Sequence, residues 1–203
     1  MLEWLQEGFA LVCGQNPAHT WAPGEVLLPF CQRCTGLYAG AVLAALLHLW
    51  LRPRLTGRFL AIHGAFLLFM APFGFHWVEH GPGLRTITGT LFGFGVVTFL
   101  WLPVKAWWAD REPELAGVSQ KAPPPATGFS ERRAAWRYGA GVVLAVAVLP
   151  VLSARGGPWA AGLLYLSGLA GALVFVALVL ANVGLVIRFG RRVLFGKPRP
   201  LAS

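Results

Sequence analysis

Long apolar stretches, separated by short polar or glycine- and proline-rich segments, dominate this chain. Each approaches the roughly 17 to 25 residues that a helix needs to cross the hydrocarbon core of a membrane. Their approximate limits are Leu28 or Thr35 to Leu51, Phe59 to Phe75, Leu84 to Val104, Ala134 to Leu152, and Pro158 to Ile187. The pattern predicts an all-α fold, an integral membrane helical bundle with about five transmembrane helices.

The residues before the first apolar stretch follow a different pattern. Apolar and acidic positions are mixed there, at Leu2, Trp4, Leu5 and Phe9 and at Glu3 and Glu7. This segment is too short to span a bilayer, and its spacing is typical of an amphipathic helix that lies in the interface. It has neither a basic start nor a small-residue cleavage site, so a signal peptide is not expected.

A proline- and glycine-rich segment between Glu112 and Gly128 divides the apolar stretches into two groups. It has too little apolar content to pack, which predicts a flexible loop. We therefore expect four parts. They are a three-span part at residues 1–105, the flexible loop at 106–133, a two-span hairpin at 134–187 and a basic tail at 188–203.

Positive charge is distributed unevenly between the two ends of the predicted helices. Of the 17 lysines and arginines, all but Arg33, Arg85 and Arg155 lie between spans one and two, between three and four, or after span five. Basic residues accumulate in short cytoplasmic loops, so this end is predicted to face the cytoplasm. We expect a multi-pass protein of the cell inner (plasma) membrane, with its N-terminus outside and its C-terminus cytoplasmic.

The same charges narrow the choice of partners. The net charge is +9, but the basic residues border the spans and no nucleic-acid recognition motif accompanies them. This arrangement favours the lipid bilayer, including its anionic lipids, and argues against nucleic acid.

Candidate chemistry gathers at the opposite, outer end. Cys31 and Cys34 stand at the start of the first span, after Cys13 and His19, in the order Cys-x5-His-x11-Cys-x2-Cys. A helix N-terminus and Arg33 both favour thiolates there. Four such ligands suit a closed, tetrahedral Cys3His zinc site, whereas three cysteines alone would leave a coordination position open. A Cys31–Cys34 disulfide, ordinary small residues and a loop histidine without a ligand role are the alternatives.

A second group of polar residues follows span two. His76, Glu79 and His80 match the H-x-x-E-H pattern of one class of zinc peptidases, but no downstream carboxylate lies on the outer side. We instead expect these residues, with Arg85 at the start of span three, to act at the cysteine site as base, proton relay or anion-binding group. The alternatives are a polar end of a span and an arginine that reaches the lipid headgroups.

Small and polar residues inside the spans predict how the helices pack. Gly36 and Gly40 in span one, and Gly89 and Gly93 in span three, each form a flat strip that permits close helix approach. We predict that the two strips face each other. Polar residues buried in the spans are also present. His48 and His63 are expected to be structural or to line a proton path, and Asn182 to donate a hydrogen bond between helices.

The motif Phe30-Cys-x-Arg-Cys-Thr-Gly-x-Tyr-x-Gly40, preceded by Cys13-x-Gln-x-Pro17 and followed by Arg85-x-x-x-Gly89-x-x-x-Gly93, resembles domain-of-unknown-function family 2085. The similarity covers about residues 10–100. It implies a small multi-span membrane protein with a cysteine-rich outer rim, and it supplies no established reaction.

The sequence therefore predicts a membrane protein that binds zinc at its outer face through Cys13, His19, Cys31 and Cys34. If the site is catalytic, metal-assisted hydrolysis or transfer on an amphipathic, anionic substrate is expected, with Glu79, His76, His80 and Arg85 as candidate catalytic residues. The alternatives are a membrane thiol–disulfide oxidoreductase that uses Cys31 and Cys34, and a non-enzymatic structural or accessory subunit.

Overall fold

The computed structural model describes residues 3–75, 77–115 and 128–195. Within these ranges the chain is helical and contains no strand. The helices are α1 (Glu3–Ala10), α2 (Gln32–Leu51), α3 (Gly57–Gly74), α4 (Pro82–Leu115), α5 (Gly128–Arg155) and α6 (Pro158–Phe195). The predicted all-α fold is confirmed.

Helices α2 to α6 contain the predicted spans. The segments long and apolar enough to cross a membrane are Gln32–Leu51, Gly57–Gly74, Pro82–Ala109, Arg132–Arg155 and Pro158–Gly190. Large apolar side chains on their surface are exposed, including Leu68, Leu173 and Val186. In water such a surface would be costly, so these faces are the ones that contact lipid.

The bundle is built around the pair α2 and α4, which share the most extensive contact between helices. Helices α5 and α6 both pack on this pair, whereas α3 packs chiefly on α4. Half of the apolar window of α2 is buried, against 11% for α3. Helix α2 is therefore the centre of the bundle, and it carries the Cys31 and Cys34 end of the motif.

The glycine strips of α2 and α4 face each other, as predicted. A Cβ atom placed on Gly36 would collide with the backbone of Thr86 and Thr90, and one on Gly89 would collide with the backbone of Arg33. A Cβ on Gly40 would lie 2.6 Å from the carbonyl oxygen of Thr90. The two backbones approach more closely than any side chain would allow, so these positions require glycine.

The helices extend further into the predicted linker than expected. Residues 106–115 continue α4 and residues 128–133 begin α5, so these parts of the predicted loop are helical. The guanidinium of Arg188 lies 5.7 Å from the ring centroid of Trp107, which extends the contact between α4 and α6 at this end. Residues 116–127 lie outside the described ranges, as do 196–203 of the predicted tail, and the flexibility of the linker stays a prediction.

The segment between α1 and α2 folds back over one end of the bundle. Two 3-10 turns, Pro17–His19 and Pro23–Glu25, shape it, and Trp21 accepts a backbone hydrogen bond from Leu28 (3.0 Å). Gly24 has a positive φ of 59° and lies against the turn before α6, where a Cβ would come within 2.5 Å of Pro158. The Trp21 indole donates a 2.9 Å hydrogen bond to the hydroxyl of Thr86, near the start of α4.

The opposite end of the bundle carries the basic residues. There the Lys105 ammonium of α4 donates a 3.0 Å hydrogen bond to the carbonyl of Pro53, in the connection between α2 and α3. Different elements therefore occupy the two ends of the bundle. The segment before α2 covers one end, and basic side chains surround the other.

Candidate metal centre

Cys13 meets the Cys31 and Cys34 pair, 18 or more positions later in the sequence, at the end covered by the N-terminal segment. The sulfurs of Cys13, Cys31 and Cys34 all lie within 4.8 Å of one another. All three are free thiols, and Cys13 is buried while the other two are partly buried. The cysteine part of the predicted ligand set is therefore assembled by the fold.

Aromatic packing places Cys13. Phe9 in α1 makes edge contacts with Phe30 and with Tyr38 of α2, at centroid distances of 5.1 and 5.4 Å. The backbone amide of Cys13 donates a 2.8 Å hydrogen bond to the Phe9 carbonyl, so the buried ring fixes the cysteine that follows it. The apolar residues of the predicted interfacial helix thus include one that enters the core, with Phe9 only 6% exposed.

A glutamine fixes the loop that carries Cys13 to the segment before Cys31. The Gln15 side-chain amide donates to the carbonyl of Gln6 at 2.6 Å and to that of Pro29 at 2.8 Å. Gln15 itself has a positive φ of 43°, which turns the chain sharply after Cys13. These hydrogen bonds hold the first cysteine against the other two.

Cys31 and Cys34 are placed by the start of α2. Cys31 is the N-cap residue of the helix, and its side chain makes no capping hydrogen bond. Its carbonyl accepts hydrogen bonds from the amide and the hydroxyl of Thr35, at 2.9 and 3.1 Å. The residue that follows Cys34 therefore completes the first turn, and the thiol of Cys31 is left to face the other two sulfurs.

The electrostatic environment favours a thiolate at Cys13. The thiols of Cys31 and Cys34 and the backbone amides of Cys31 and Gln15 all hydrogen bond to its sulfur, and together they hold the pKa of Cys13 far below its ordinary value despite burial. The Cys31 amide donates over 3.1 Å. Backbone N–H groups aimed at a sulfur stabilise the form that binds metals.

The arrangement fits a thiophilic metal ion. Zinc–sulfur bonds of about 2.3 Å place two sulfurs of a tetrahedral site roughly 3.8 Å apart. Sulfurs within 4.8 Å of one another need only small adjustments to reach that spacing. A disulfide requires about 2.04 Å between two sulfurs and satisfies only two of the three. Three thiols converging from two segments are better matched to one shared ion.

His19, the predicted fourth ligand, is not part of the group of three thiols. It ends the 3-10 turn Pro17–His19, and the next residue, Thr20, pairs with Cys31 in an isolated antiparallel bridge. The backbone of His19 is therefore one residue away from the paired position, while its ring stands outside the thiol group. A ligand role for His19 stays a prediction.

The predicted second group is brought to this end of the bundle, but with other partners than expected. The His80 ring accepts a 3.0 Å hydrogen bond from the Arg33 guanidinium, because its Nδ1 donates to the Val78 carbonyl at 2.8 Å. Arg33 also donates to the Phe73 carbonyl at the end of α3 (2.9 Å). The charge of Arg33 is thus used to join α2 to the loop after α3.

The other members of that group are less engaged. Glu79 is exposed, and within the described ranges it forms no ion pair with Arg85. Arg85 is partly buried at the start of α4, and its side chain makes no hydrogen bond to a described residue. His76 lies outside the described residues. A catalytic role for Glu79, His76, His80 and Arg85 stays a prediction.

A second polar cluster lies inside the bundle, towards the basic end. His63 donates from Nδ1 to the Phe59 carbonyl at 2.9 Å, so its Nε2 accepts the Tyr138 hydroxyl at 3.0 Å. The same hydroxyl lies 3.4 Å from Nε2 of His48, which also bonds Thr98 at 2.9 Å. The sequence indicated both histidines but not Tyr138. Tyr138 is far from both histidines along the chain, so the sequence showed only that it is a tyrosine within a span.

Asn182 confirms one of the packing predictions. Its side-chain amide donates a 2.9 Å hydrogen bond to the Leu100 carbonyl in α4, across the contact between α4 and α6. A polar side chain in a span therefore serves as a link between helices here.

Comparison with known proteins agrees with the motif. Residues 13–99 match the family model described as "Predicted membrane protein (DUF2085)". No curated protein and no solved structure matches the chain. The matched region begins at Cys13 and contains Cys31, Cys34 and the glycine strips of α2 and α4. The resemblance seen in the sequence is thus confirmed over residues 13–99, and the part of this membrane protein that builds the thiol cluster is similar to the DUF2085 family.

Proposed function

We propose that the protein binds one zinc ion through Cys13, Cys31 and Cys34, at the outer face of the cell inner (plasma) membrane. The observation that carries the proposal is the convergence of three sulfurs within 4.8 Å of one another. Three neighbouring sulfurs cannot all ionise without repelling one another, and a divalent cation removes that repulsion. Zinc is the metal that such sulfur-rich tetrahedral sites ordinarily select.

The fourth ligand determines what the ion does. If His19 turns its ring towards the ion, the site is closed and structural, whereas a water molecule or a substrate group in that position leaves it open. The backbone bridge between Thr20 and Cys31 keeps His19 close to the site. The sulfurs alone form the group of converging ligands, so both forms follow from the same three cysteines.

A structural consequence follows in either form. Cys13 belongs to the segment before α2, and Cys31 and Cys34 belong to the start of α2 itself. One ion bound to all three would fasten the N-terminal segment to the central helix of the bundle. This tethering supports a structural or accessory role, and an open fourth position adds the capacity for metal-assisted hydrolysis or transfer on an anionic amphipathic substrate.

The orientation belongs to the same proposal. The thiol cluster lies at the end opposite to Lys105 and Arg188, and basic ends of membrane bundles face the cytoplasm. An outer location would expose the thiols to an oxidising compartment, where a bound metal protects them from forming disulfides.

Thiol–disulfide exchange is the second candidate. The free thiols and the low pKa of Cys13 favour it, because a thiolate is the attacking species in such exchange. In that reaction Cys13 would attack a Cys31–Cys34 disulfide, forming a mixed disulfide with one sulfur and releasing the other as a thiolate. A substrate dithiol would then reduce the mixed disulfide by two successive exchanges and leave as a substrate disulfide. The protein would be left with three thiols, and a quinone would restore the Cys31–Cys34 disulfide by accepting two electrons and two protons.

Metal analysis of purified full-length protein separates the two candidates. Under reducing, chelator-free conditions we expect about one zinc per chain in the wild type and almost none in Cys31→Ser or Cys34→Ser. Gly14→Ala is the matched control, because a Cβ there would meet nothing within 4 Å. Protein that folds without stoichiometric zinc would contradict the proposal.

Two further measurements refine it. Zinc that persists in His19→Ala with unchanged affinity would assign the fourth position to a ligand other than His19, and a loss of ten- to a hundredfold would make the site Cys3His. Labelling of the metal-free thiols with a membrane-impermeant reagent from each side tests the orientation. Labelling only from the cytoplasmic side would refute the outer location.

A further inference from the structure

A pocket opens at the basic end of the bundle, away from the thiol cluster. It lies between the last turn of α2 and the middle of α4, with a volume of about 470 Å³. Its lining includes His48, Leu49 and Arg52 from α2 and Trp101, Lys105 and Trp108 from α4. This volume is within the usual range for binding sites of small ligands.

The charges of this pocket are positive. Arg52 comes from one side and Lys105 from the other, and no acidic residue is among those that line it. Lys105 donates to the carbonyl of Pro53, a neutral acceptor, so its charge is not cancelled there. Arg52 makes no ion pair with a described residue. Two cations that converge on one cavity favour an anionic group.

A rigidly held side chain forms part of the wall of this pocket. His48 is only 3% exposed, and its ring is hydrogen bonded to Thr98 and stacked at 6.1 Å and 18° on Trp101. These contacts prevent the imidazole from rotating away from the pocket. Since its Nε2 is bonded to Thr98, this ring forms a rigid part of the pocket wall beside the two cations.

The rim of the pocket is apolar. Leu49 and Trp108 are 57% and 59% exposed, on the outer surface of two membrane-spanning helices. A ligand with its anionic part between Arg52 and Lys105 could extend its apolar part along these two side chains. A soluble anion would gain nothing from them, whereas a lipid acyl chain would bury apolar surface there.

The backbone at Arg52 adds a constraint. Arg52 ends α2 in the left-handed conformation, with φ 44° and ψ 52°, a position that usually holds glycine or asparagine. Arginine thus occupies a position where its backbone conformation is disfavoured. We infer that this pocket binds the phosphate headgroup of an anionic membrane phospholipid, with Arg52 and Lys105 on the phosphate and Leu49 and Trp108 along an acyl chain.

Lipid titrations of the purified full-length protein in a non-ionic detergent test this site. The probes are dioctanoyl phosphatidylglycerol, dioctanoyl phosphatidylcholine and inorganic phosphate, with bound lipid counted by native mass spectrometry. We expect phosphatidylglycerol to bind more tightly than phosphatidylcholine. Arg52→Gln and Lys105→Gln should each weaken it about fivefold, the usual effect of one basic residue near an anionic lipid. Arg58→Gln, in the first turn of α3 and outside the pocket, should leave the binding unchanged.

Several results would overturn the inference. They are an absence of preference for the anionic lipid, retention of affinity in both Arg52→Gln and Lys105→Gln, and an equal loss in Arg58→Gln. Inorganic phosphate that binds as tightly as phosphatidylglycerol would assign the pocket to a free anion instead of a lipid. Arg52 makes no described side-chain contact, so Arg52→Gln tests binding without a change of fold. The zinc content of these variants should equal that of the wild type, which shows that the lipid site is separate from the thiol cluster.

Discussion

The thiol cluster and the histidine cluster bury polar groups in the same bundle, yet they satisfy them in different ways. At the basic end a carbonyl, His63, the Tyr138 hydroxyl and His48 alternate donors and acceptors, so the cluster is complete within the chain. At the other end three sulfurs face one another, and all offer the same kind of atom. A cluster of like groups needs a component from outside the chain, and this difference is why the thiols point to a metal.

The largest expected effect on stability comes from the close contact of α2 with α4, the framework that both clusters share. In Gly89→Val the new side chain would enter the backbone of α2 beside Arg33 and separate α2 from α4. We expect a loss of more than about 3 kcal/mol in the free energy of unfolding, because overpacking that displaces backbone exceeds the usual cost. Thermal unfolding in detergent and the yield of monodisperse protein measure it.

Gly139→Val provides the matched control, since a Cβ at Gly139 in α5 would meet nothing within 4 Å. It should unfold close to the wild-type temperature. Equal losses of stability in both variants would show that any substitution in a span is destabilising. The contact of α2 with α4 would then not be the framework that both clusters share.

Some features of this molecule can be predicted from its sequence and others cannot. Spans follow from apolar length alone, and the glycine strips follow from spacing on a helix, so both were predictable. The thiols were predictable because Cys31 and Cys34 are only two residues apart in the Cys-x2-Cys motif and stand at a helix start. The role of Tyr138 and the position of the His19 ring were not, since they depend on how distant helices rotate and how a short turn directs one side chain.

Metal removal should destabilise only the thiol end. Zinc that binds the folded protein at a hundred times its Kd stabilises it by about 2.7 kcal/mol. Chelation should therefore lower the unfolding temperature of the wild type and leave that of Cys34→Ser unaffected. His63→Asn should keep the response to chelator, because its side chain belongs to the other cluster. An identical response in Cys34→Ser would mean that the chelator acts elsewhere.

Removal of a single hydroxyl leaves the histidine cluster without one of its hydrogen bonds. Tyr138→Phe leaves the buried Nε2 of His63 without its 3.0 Å donor, which costs about 2 kcal/mol. Tyr165→Phe removes an equivalent hydroxyl that has no hydrogen-bond partner in the described structure, so it should be neutral or stabilising. Chemical or thermal unfolding of the two variants side by side measures the difference. Similar values would show that the Tyr138 hydroxyl contributes no net hydrogen bond.

The smallest effect should come from the support of the thiol end rather than from its sulfurs. Trp21→Phe removes the indole donor to Thr86, a hydroxyl that itself donates to the Gln32 carbonyl at the start of α2. One neutral hydrogen bond contributes about 1 kcal/mol, so zinc affinity should fall by less than tenfold. Trp50→Phe, at a side chain that is 84% exposed, is the control. Competition with a chromophoric chelator measures the affinity. A loss of zinc affinity as large as that of Cys34→Ser would mean that the indole orders the whole segment between Cys13 and Cys31. The positions of the thiols would then depend on a contact with α4, as the position of His48 does through Thr98.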